Sequence, residues 1–133
     1  MADVVIDTDV ASLLQRERAP AWVDRHVRGA RVWLTFVTVG ELAKWAEVRG
    51  WGRARRDALD AWVVARPVIP YDDTIAKTWG QLAGAAQLRG RPRPQNDTWI
   101  AACCLRHGMP LLTINRRDFT DFVGHHGLLL LAE

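Results

Sequence analysis

The chain has 133 residues, of which 49% are hydrophobic, 25% charged and 8% aromatic. These proportions predict one globular domain over 1–133 and exclude a disordered tail, a collagen-like fibre and a multidomain enzyme. No apolar run approaches the roughly 20 residues of a membrane-spanning helix. The first ten residues carry acids where a secretory signal peptide carries Lys or Arg, so we expect a cytoplasmic protein that makes no contact with a membrane.

The formal net charge is +3, from 18 basic and 15 acidic residues, and all the basic residues except Lys44 and Lys77 are Arg. Arg is suited to bidentate contacts with phosphate, so this composition allows a nucleic-acid partner. A GC-rich genome, whose codons favour Arg, accounts for the same bias. Charge alone therefore permits RNA binding without requiring it.

Short apolar runs alternate with helical patterns along the chain. Five runs predict strands at 3–7, 31–36, 67–70, 111–114 and 128–131. The segments between them predict helices at 9–15, 20–28, 39–49, 53–65, 73–88 and 97–107, with a short helical turn near 116–122. Continuous apolar strands separated by helices are typical of a parallel sheet that is covered on both faces. We therefore predict a three-layer α/β/α domain with about five strands.

Four acidic residues stand where a predicted strand or loop passes into a helix. Asp7 ends the first strand, and Glu41 follows the second strand by one turn. Asp97 opens a helix, and Asp118 follows the fourth strand. The carboxyl ends of parallel strands share one edge of the sheet, and sites form beyond that edge. Asp97 joins the other three acids only if its helix begins there, which the residues alone leave open.

The acids also have a structural explanation, because each lies at or near a predicted helix cap. Thr38 and Glu41 have the spacing of a capping box, and Asn115 and Asp118 have a related spacing. The other candidate caps are Asp7 or Thr8 for the first helix and Asn96 for the helix that contains Asp97. Taken singly, each acid fits either explanation.

Taken together, the four acids predict a metal site. Three or four carboxylates within a few ångströms of one another repel, which is costly without a cation. Oxygen ligands of this kind select Mg²⁺ or Mn²⁺. A metal held in this way can activate water and stabilise charge on a phosphodiester. The chemistry that the pattern indicates is metal-dependent phosphodiester hydrolysis.

Other reactive side chains offer no competing site. The adjacent Cys103 and Cys104 lie in a helical pattern that points them about 100° apart, which argues against a mutual disulfide and favours small buried apolar residues. The four histidines have neither metal-ligand nor catalytic-triad spacing, and the sequence has no glycine-rich phosphate loop.

Four fragments surround the acids in a characteristic order. They are Asp7-Thr8, Thr38-x-x-Glu41-Leu42, Asp97-x-x-Ile100-Ala101-Ala102 and Thr113-x-Asn115-x-x-Asp118-Phe119. Together they resemble the PIN-domain ribonucleases, and specifically the VapC-type toxins of bacterial toxin–antitoxin pairs. The resemblance covers essentially the whole chain.

The resemblance implies a Rossmann-like α/β/α sandwich with strand order 3-2-1-4-5, in which the helix of Asp97 begins at the site. It also implies that Asp7, Glu41, Asp97 and Asp118 are catalytic and bind Mg²⁺ or Mn²⁺. Many relatives carry Asp where this chain has Asn115. The fourth site residue is therefore either Asn115 or Asp118. Asn115 would act by holding a water or the scissile phosphate.

The resemblance further implies roles for the neighbouring residues and a mechanism. Thr8 and Thr113 would support the acids by hydrogen bonding. Asp9 stands where relatives often have Asn or Ser. It would either add its charge to the site or face solvent, and we expect it to face solvent. A bound metal would activate water for in-line attack on an RNA phosphodiester, with Glu41 or another acid orienting that water. No covalent intermediate is required.

Two groups of Arg side chains precede the acids in the sequence. They are Arg89, Arg91 and Arg93 ahead of Asp97, and Arg116 and Arg117 ahead of Asp118. If the acids converge, both groups should lie at the rim of the site and bind RNA phosphates. The alternative is that they belong to ordinary solvated loops.

The resemblance implies two protein partners besides the RNA substrate. One is a cognate VapB-type antitoxin, and the other is a second copy of the chain in a homodimer. Trp45, Trp51 and Trp62 fall on the helices after the second strand, in a region that the family uses for the antitoxin groove and the homodimer contact. Core packing is the alternative role for these side chains.

Two other functions compete with a ribonuclease. One is a catalytically silent PIN-like module that binds RNA or protein, and the complete acid set argues against it. The other is a receiver-like phosphotransfer domain. It would need a phosphoacceptor Asp after the third strand and a Lys near the fifth, but no Lys lies beyond Lys77.

Overall fold

The computed structural model describes the whole chain, Met1–Glu133. The strands are β1 (Asp3–Ile6), β2 (Arg31–Thr35), β3 (Val68–Ile69), β4 (Leu111–Leu112) and β5 (Leu130–Leu131). The helices are α1 (Thr8–Gln15), α2 (Ala21–Val27), α3 (Phe36–Val48), α4 (Arg53–Val64), α5 (Asp73–Leu88), α6 (Gln95–His107) and α7 (Thr120–His126). A short 3-10 helix, Arg116–Asp118, lies between β4 and α7. None of the helices combines the length and apolarity that crossing a membrane requires.

The five strands form one sheet in the order β3-β2-β1-β4-β5, and every neighbouring pair is parallel. The central strand is β1, whose Val5 lies opposite Trp33 of β2 and Leu111 of β4. Each connection between strands contains at least one helix, as parallel pairing requires. These findings confirm the parallel five-stranded sheet and the strand order 3-2-1-4-5.

Both faces of the sheet are buried beneath helices. Successive side chains of β1 point to opposite faces: Val4 and Ile6 join the core covered by α1, α2, α3 and α4. Val5 joins the core on the other face, beneath α5, α6 and α7. That second core also holds Cys103 and Cys104, which are buried and free, as the sequence predicts. The three-layer α/β/α architecture is therefore confirmed.

Helix α3 begins at Phe36, three residues before the predicted start at Val39. Its N-cap is Thr35, the last residue of β2, whose hydroxyl accepts a hydrogen bond from the amide of Thr38 at 3.2 Å. Phe36 and Val37 look like a continuation of the strand because both pack on the hydrophobic core. The chain passes from strand to helix without a loop, and the predicted capping box at Thr38 is wrong.

Two further predicted caps are also wrong. Helix α6 begins at Gln95, with Pro94 at the N-cap, so Asn96 lies inside the first turn. Pro94 itself makes no side-chain capping hydrogen bond. Asn115 precedes the 3-10 helix but makes no capping hydrogen bond. Asp7, by contrast, does cap α1, so this side chain has a structural role in addition to any chemical one.

The carboxyl ends of three adjacent strands bring polar side chains to one edge of the sheet. Asp7 follows β1, Thr35 ends β2 and Thr113 follows β4. All three are buried, although polar side chains are rarely buried without a partner. Each of them is hydrogen-bonded to another side chain, so the buried polar groups at this edge of the sheet have partners.

Candidate metal and active site

A cleft at the carboxyl edge of the sheet brings together five carboxylates. The acids that line it are Asp7, Asp9, Glu41, Asp97 and Asp118. The other lining residues are Thr8, Trp45, Ile100, Asn115 and Phe119. We call this surface the acidic cleft. All four acids predicted from the sequence lie in it, including Asp97, whose position the residues alone left open.

Asp7 is the most buried of the acids, with only 4% of its surface exposed. One carboxylate oxygen accepts the amide of Val10 at 3.0 Å, which caps α1. The other accepts the hydroxyl of Thr113 at 2.5 Å. Asp7 is therefore fixed from two directions, by the helix that follows its own strand and by the end of the neighbouring strand β4. Thr113 occupies the supporting position that the sequence predicts.

Glu41 reaches the cleft from the second turn of α3. The hydroxyl of Thr8 donates to its carboxylate at 2.6 Å. The same hydroxyl lies 3.0 Å from that of Thr38, which in turn lies 3.5 Å from that of Thr35. A row of three threonine hydroxyls thus joins the beginnings of α1 and α3 and holds Glu41 over the end of β1.

Asp97 lies in the first turn of α6, where unpaired backbone amides favour a negative charge. Its side chain is only half-exposed, and burial, the nearby charges of Asp118 and Glu41 and a smaller contribution from Asp9 raise its pKa to about 6. The positive charge of Arg93 acts in the opposite direction. The neighbouring carboxylates therefore raise the pKa of Asp97, although its place in the first turn of α6 favours the charged form.

The pKa of Asp7 is raised further, to about 7, chiefly because the carboxyl is buried. Its hydrogen bonds from Thr113 and Val10 lower the pKa, whereas the charges of Asp9 and Asp97 raise it. Two carboxyls of one cleft therefore have pKa values of about 7 and about 6 in the absence of a cation, well above the ordinary value for Asp. A bound cation would favour the ionised form of both.

Asn115 and Asp9 form the outer wall of the cleft. The side-chain amide of Asn115 donates to the carboxylate of Asp9, and its backbone amide donates to the hydroxyl of Thr113 at 2.9 Å. Asp9 is exposed, as predicted, yet it faces Asn115 and lines the cleft. Both alternatives that the sequence leaves open for Asp9 therefore apply in part, because the exposed side chain is held at the cleft by Asn115. Asp118 also lines the cleft, so both candidates for the fourth position are present.

The donor set fits a hard divalent cation. The cleft offers carboxylate, hydroxyl and amide oxygens and no sulfur or imidazole, which is the chemistry that Mg²⁺ and Mn²⁺ prefer. No group of three or more His, Cys, Asp or Glu side chains is arranged so that it could hold a metal ion by itself. Mg²⁺ usually takes one or two carboxylates and completes its shell with water and substrate phosphate, so a complete cage of side chains is not required.

The five predicted rim arginines do not surround the cleft evenly, and none of them is among its lining residues. Arg93 is near enough to act on the charge of Asp97. Arg89 instead forms an ion pair with Asp121 of α7 at 3.2 Å, and the charge of Arg91 acts on the same Asp121. Arg116 lines a different cavity, and Arg117 is exposed. RNA contacts by these residues stay a prediction, for which Arg93 is the best placed.

Trp45 also lines the acidic cleft, although its sequence position predicted no role in the active site. The signal was present, because Trp45 follows Glu41 by four residues and therefore lies on the same face of α3. Trp51 is buried in the core, and Trp62 packs against that core. The three tryptophans that the sequence groups together thus have different surroundings.

Comparison with known proteins agrees with this arrangement of strands. A family model described as PIN domain matches residues 4–123. Ribonuclease VapC5 of Mycobacterium tuberculosis is 30% identical over 82% of this chain and 80% of that protein. Toxin FitB of Neisseria gonorrhoeae is 27% identical over 90% of both chains.

Comparison of the fold with solved structures finds toxin–antitoxin complexes. A chain in the crystal structure of DNA-bound VapBC from Salmonella typhimurium superposes with a TM-score of 0.81 over 99% of this chain and 98% of that one, at 20% identity. The family model spans all four acids of the predicted site, from Asp7 to Asp118. The parallel sheet, the acidic cleft at its carboxyl edge and the match along nearly the whole sequence lead to one assignment. The chain belongs to the PIN-domain family.

Proposed function

We propose that the protein is a divalent-metal-dependent endoribonuclease, with the whole chain 1–133 acting as one nuclease domain. The observation that carries this proposal is the convergence of five carboxylates in the acidic cleft. Burial and mutual repulsion hold the pKa of Asp7 near 7 and that of Asp97 near 6. Such a site is costly for stability, and binding a cation offsets the cost. The relative VapC5 is named a ribonuclease, which supports RNA as the substrate.

In this mechanism Asp7 and Asp97 would hold Mg²⁺ or Mn²⁺, and Glu41 and Asp118 would add negative charge beside it. When bound, the metal ion supplies charge stabilisation for the phosphodiester and lowers the pKa of water. Glu41, held by the hydroxyl of Thr8 at 2.6 Å, is placed to orient the attacking water and to accept its proton. Asn115 is placed at the outer wall to donate its amide to water or to a phosphate oxygen. Hydrolysis proceeds by in-line attack, without a covalent intermediate.

We also propose that the protein is the toxin of a toxin–antitoxin pair and forms a homodimer. The support is that one relative is named a toxin and that a structural relative is DNA-bound VapBC. An apolar groove lies between α3 and α4, lined by Val39, Leu42, Leu59, Val63 and Val64. Such a groove suits the apolar face of a partner segment, and a VapB-type antitoxin is the proposed occupant.

Cleavage of a labelled single-stranded RNA tests the enzymatic proposal. We expect cleavage with Mg²⁺ or Mn²⁺, none with EDTA, and a loss of at least about a hundredfold in Asp7→Ala and in Asp97→Ala, since each removes a proposed metal ligand. Asp24→Ala is a matched control, because Asp24 is exposed on α2, outside the acidic cleft. It should cleave like the wild type.

Unchanged cleavage in both folded cleft variants would contradict the proposal. RNA binding that persists with no cleavage and no metal dependence would instead support the catalytically silent PIN-like module. Circular dichroism of each variant separates loss of the site from loss of the fold.

A further inference from the structure

A second cleft adjoins the acidic cleft and shares Asp9 and Trp45 with it. Beyond these two residues it is lined by Arg16, Arg49 and Ile114, among others. We call this surface the Trp45 cleft. Because Asp9 and Trp45 belong to both clefts, the two form one continuous path across the carboxyl edge of the sheet.

Two cations in the Trp45 cleft have no carboxylate partner. Arg16 follows the last residue of α1, and Arg49 follows the last residue of α3. A positive charge is favourable at each of these helix ends, and Arg16 Nε donates to the carbonyl of Ser12 in α1 at 3.2 Å. Neither is among the ion pairs of the molecule, although Asp9 lines the same cleft. Their charges are therefore available to an anionic ligand.

The indole of Trp45 lies between these cations and the acids. It is half-exposed, its N–H makes no hydrogen bond within the chain, and the guanidinium of Arg49 lies 5.0 Å from its ring centroid. Three other tryptophans also lie beneath an arginine, namely Trp33, Trp51 and Trp62. None of these three lines the acidic cleft. Trp45 is thus the one aromatic–cation pair that borders the proposed reaction site.

We propose that the Trp45 cleft binds the nucleotide next to the phosphodiester in the acidic cleft, and that this nucleotide belongs to single-stranded RNA. The base packs against the part of the Trp45 indole that Arg49 and the core leave exposed, and its phosphate is held by Arg16 and Arg49. This inference rests on the proposed ribonuclease function. Aromatic side chains bind unpaired bases because a base within a duplex is already stacked on both faces. The continuity of the two clefts favours a nucleic-acid strand that crosses both over an acidic peptide confined to one.

Binding of a fluorescently labelled single-stranded RNA tests the inference, with Asp97→Asn as the background so that the RNA stays intact. We expect Trp45→Leu to weaken binding about tenfold and Trp45→Phe, which keeps an aromatic face, less than about threefold. Arg49→Gln should weaken binding and reduce the salt slope by about 0.7, as expected for one lost phosphate contact on a single strand. Trp62→Leu and Arg66→Gln, a matched pair outside both clefts, should bind within about twofold of the background.

An abasic scan gives a readout that a merely structural role of Trp45 would not produce. One base at a time is removed along the RNA, and one position should weaken binding to Trp45-containing protein about tenfold. The same position should have no effect in Trp45→Leu, since its stacking partner is absent. A scan with no sensitive position overturns the inference, even if Trp45→Leu does not fold.

Two other results separate this inference from the proposed function. If wild-type protein cleaves RNA but Trp45→Leu and Trp62→Leu bind it equally well, the inference is wrong and the ribonuclease stands. If no cleavage occurs with any metal but the abasic position depends on Trp45, the enzymatic proposal is wrong, and only the binding of an unpaired nucleotide by the Trp45 cleft is retained. A poly-glutamate peptide that competes with RNA through Arg16 and Arg49, with no abasic effect, would overturn the inference in favour of a protein partner.

Discussion

The burial of Asp7 and its hydrogen-bonded role make opposite demands on its charge. As the N-cap of α1 it accepts the amide of Val10, and it also accepts the hydroxyl of Thr113. Both hydrogen bonds favour the carboxylate, yet burial outweighs them and raises the pKa to about 7. The folded protein therefore keeps Asp7 in a place where the uncharged form is the more stable one, although the proposed role as a metal ligand requires the charged form.

This conflict predicts how stability depends on pH in metal-free protein. The pKa of Asp7 is about 7 when folded and 3.8 for the free side chain, so the folded state binds the proton more tightly. The stabilisation is complete below about pH 4 and is lost as the pH rises through 7. Asp7→Asn keeps a capping side chain without the charge. We expect it to gain up to about 4 kcal/mol over the wild type between pH 4 and pH 8.

Urea unfolding in EDTA across this range measures the difference. At pH 4, where the folded Asp7 is protonated and the unfolded side chain is close to half-protonated, the two proteins should agree within about 1 kcal/mol. A difference that stays constant with pH would mean that Asp7 titrates normally and that its burial is not the cause.

At the scale of elements, the apolar runs were sufficient to predict all five strands and their parallel pairing. They were sufficient because strands such as β1 are buried on both faces and so carry no alternating polar residues. The local caps were harder to predict. Thr35 and Thr38 both have the right chemistry, and the choice between them depends on how far β2 remains paired with β3, a long-range property.

The site shows the same division between local and long-range information. The four predicted acids follow from strand ends and motif spacing, which are visible in the sequence. Other contacts join residues that are far apart in the chain, such as Asn115 with Asp9 and Arg89 with Asp121. Long-range pairings of this kind leave no pattern in one sequence, so the position of Asp9 and the ion pair of Arg89 could not be predicted.

The direct passage from β2 into α3 predicts a measurable contribution from its cap. Thr35→Ala removes the hydroxyl that accepts the amide of Thr38, and we expect a loss of about 1 kcal/mol in the free energy of unfolding. Thr35→Ser, which keeps the hydroxyl, should retain most of the stability that the cap contributes. The control is Thr78→Ala on α5, whose exposed hydroxyl bonds only to the carbonyl of Thr74. That variant should stay within about 0.5 kcal/mol of wild type, and an equal loss in both variants would contradict the assigned cap.

At the scale of the whole molecule, the small net charge of +3 conceals a separation of charge. Setting aside the four predicted site acids leaves 11 acidic residues against 18 basic ones. The basic remainder attracts a polyanion, while the acidic cleft repels it until a cation is bound. Metal binding and RNA binding should therefore be coupled in the same direction, since each removes charge repulsion that opposes the other.

The acidic cleft also links metal binding to protons. With the pKa of Asp7 near 7 and that of Asp97 near 6, both carboxyls are largely or partly protonated at pH 6, and a divalent cation must displace those protons. We expect Mg²⁺ or Mn²⁺ to release about one proton per ion at pH 6 and almost none at pH 9, with affinity rising between these values. Titration calorimetry in buffers of different ionisation enthalpy measures the number of protons released per metal ion. Asp97→Asn should reduce both the affinity for the metal and the proton release, whereas Asp24→Asn should change neither. Metal binding without proton release at pH 6 would place the ion outside the acidic cleft.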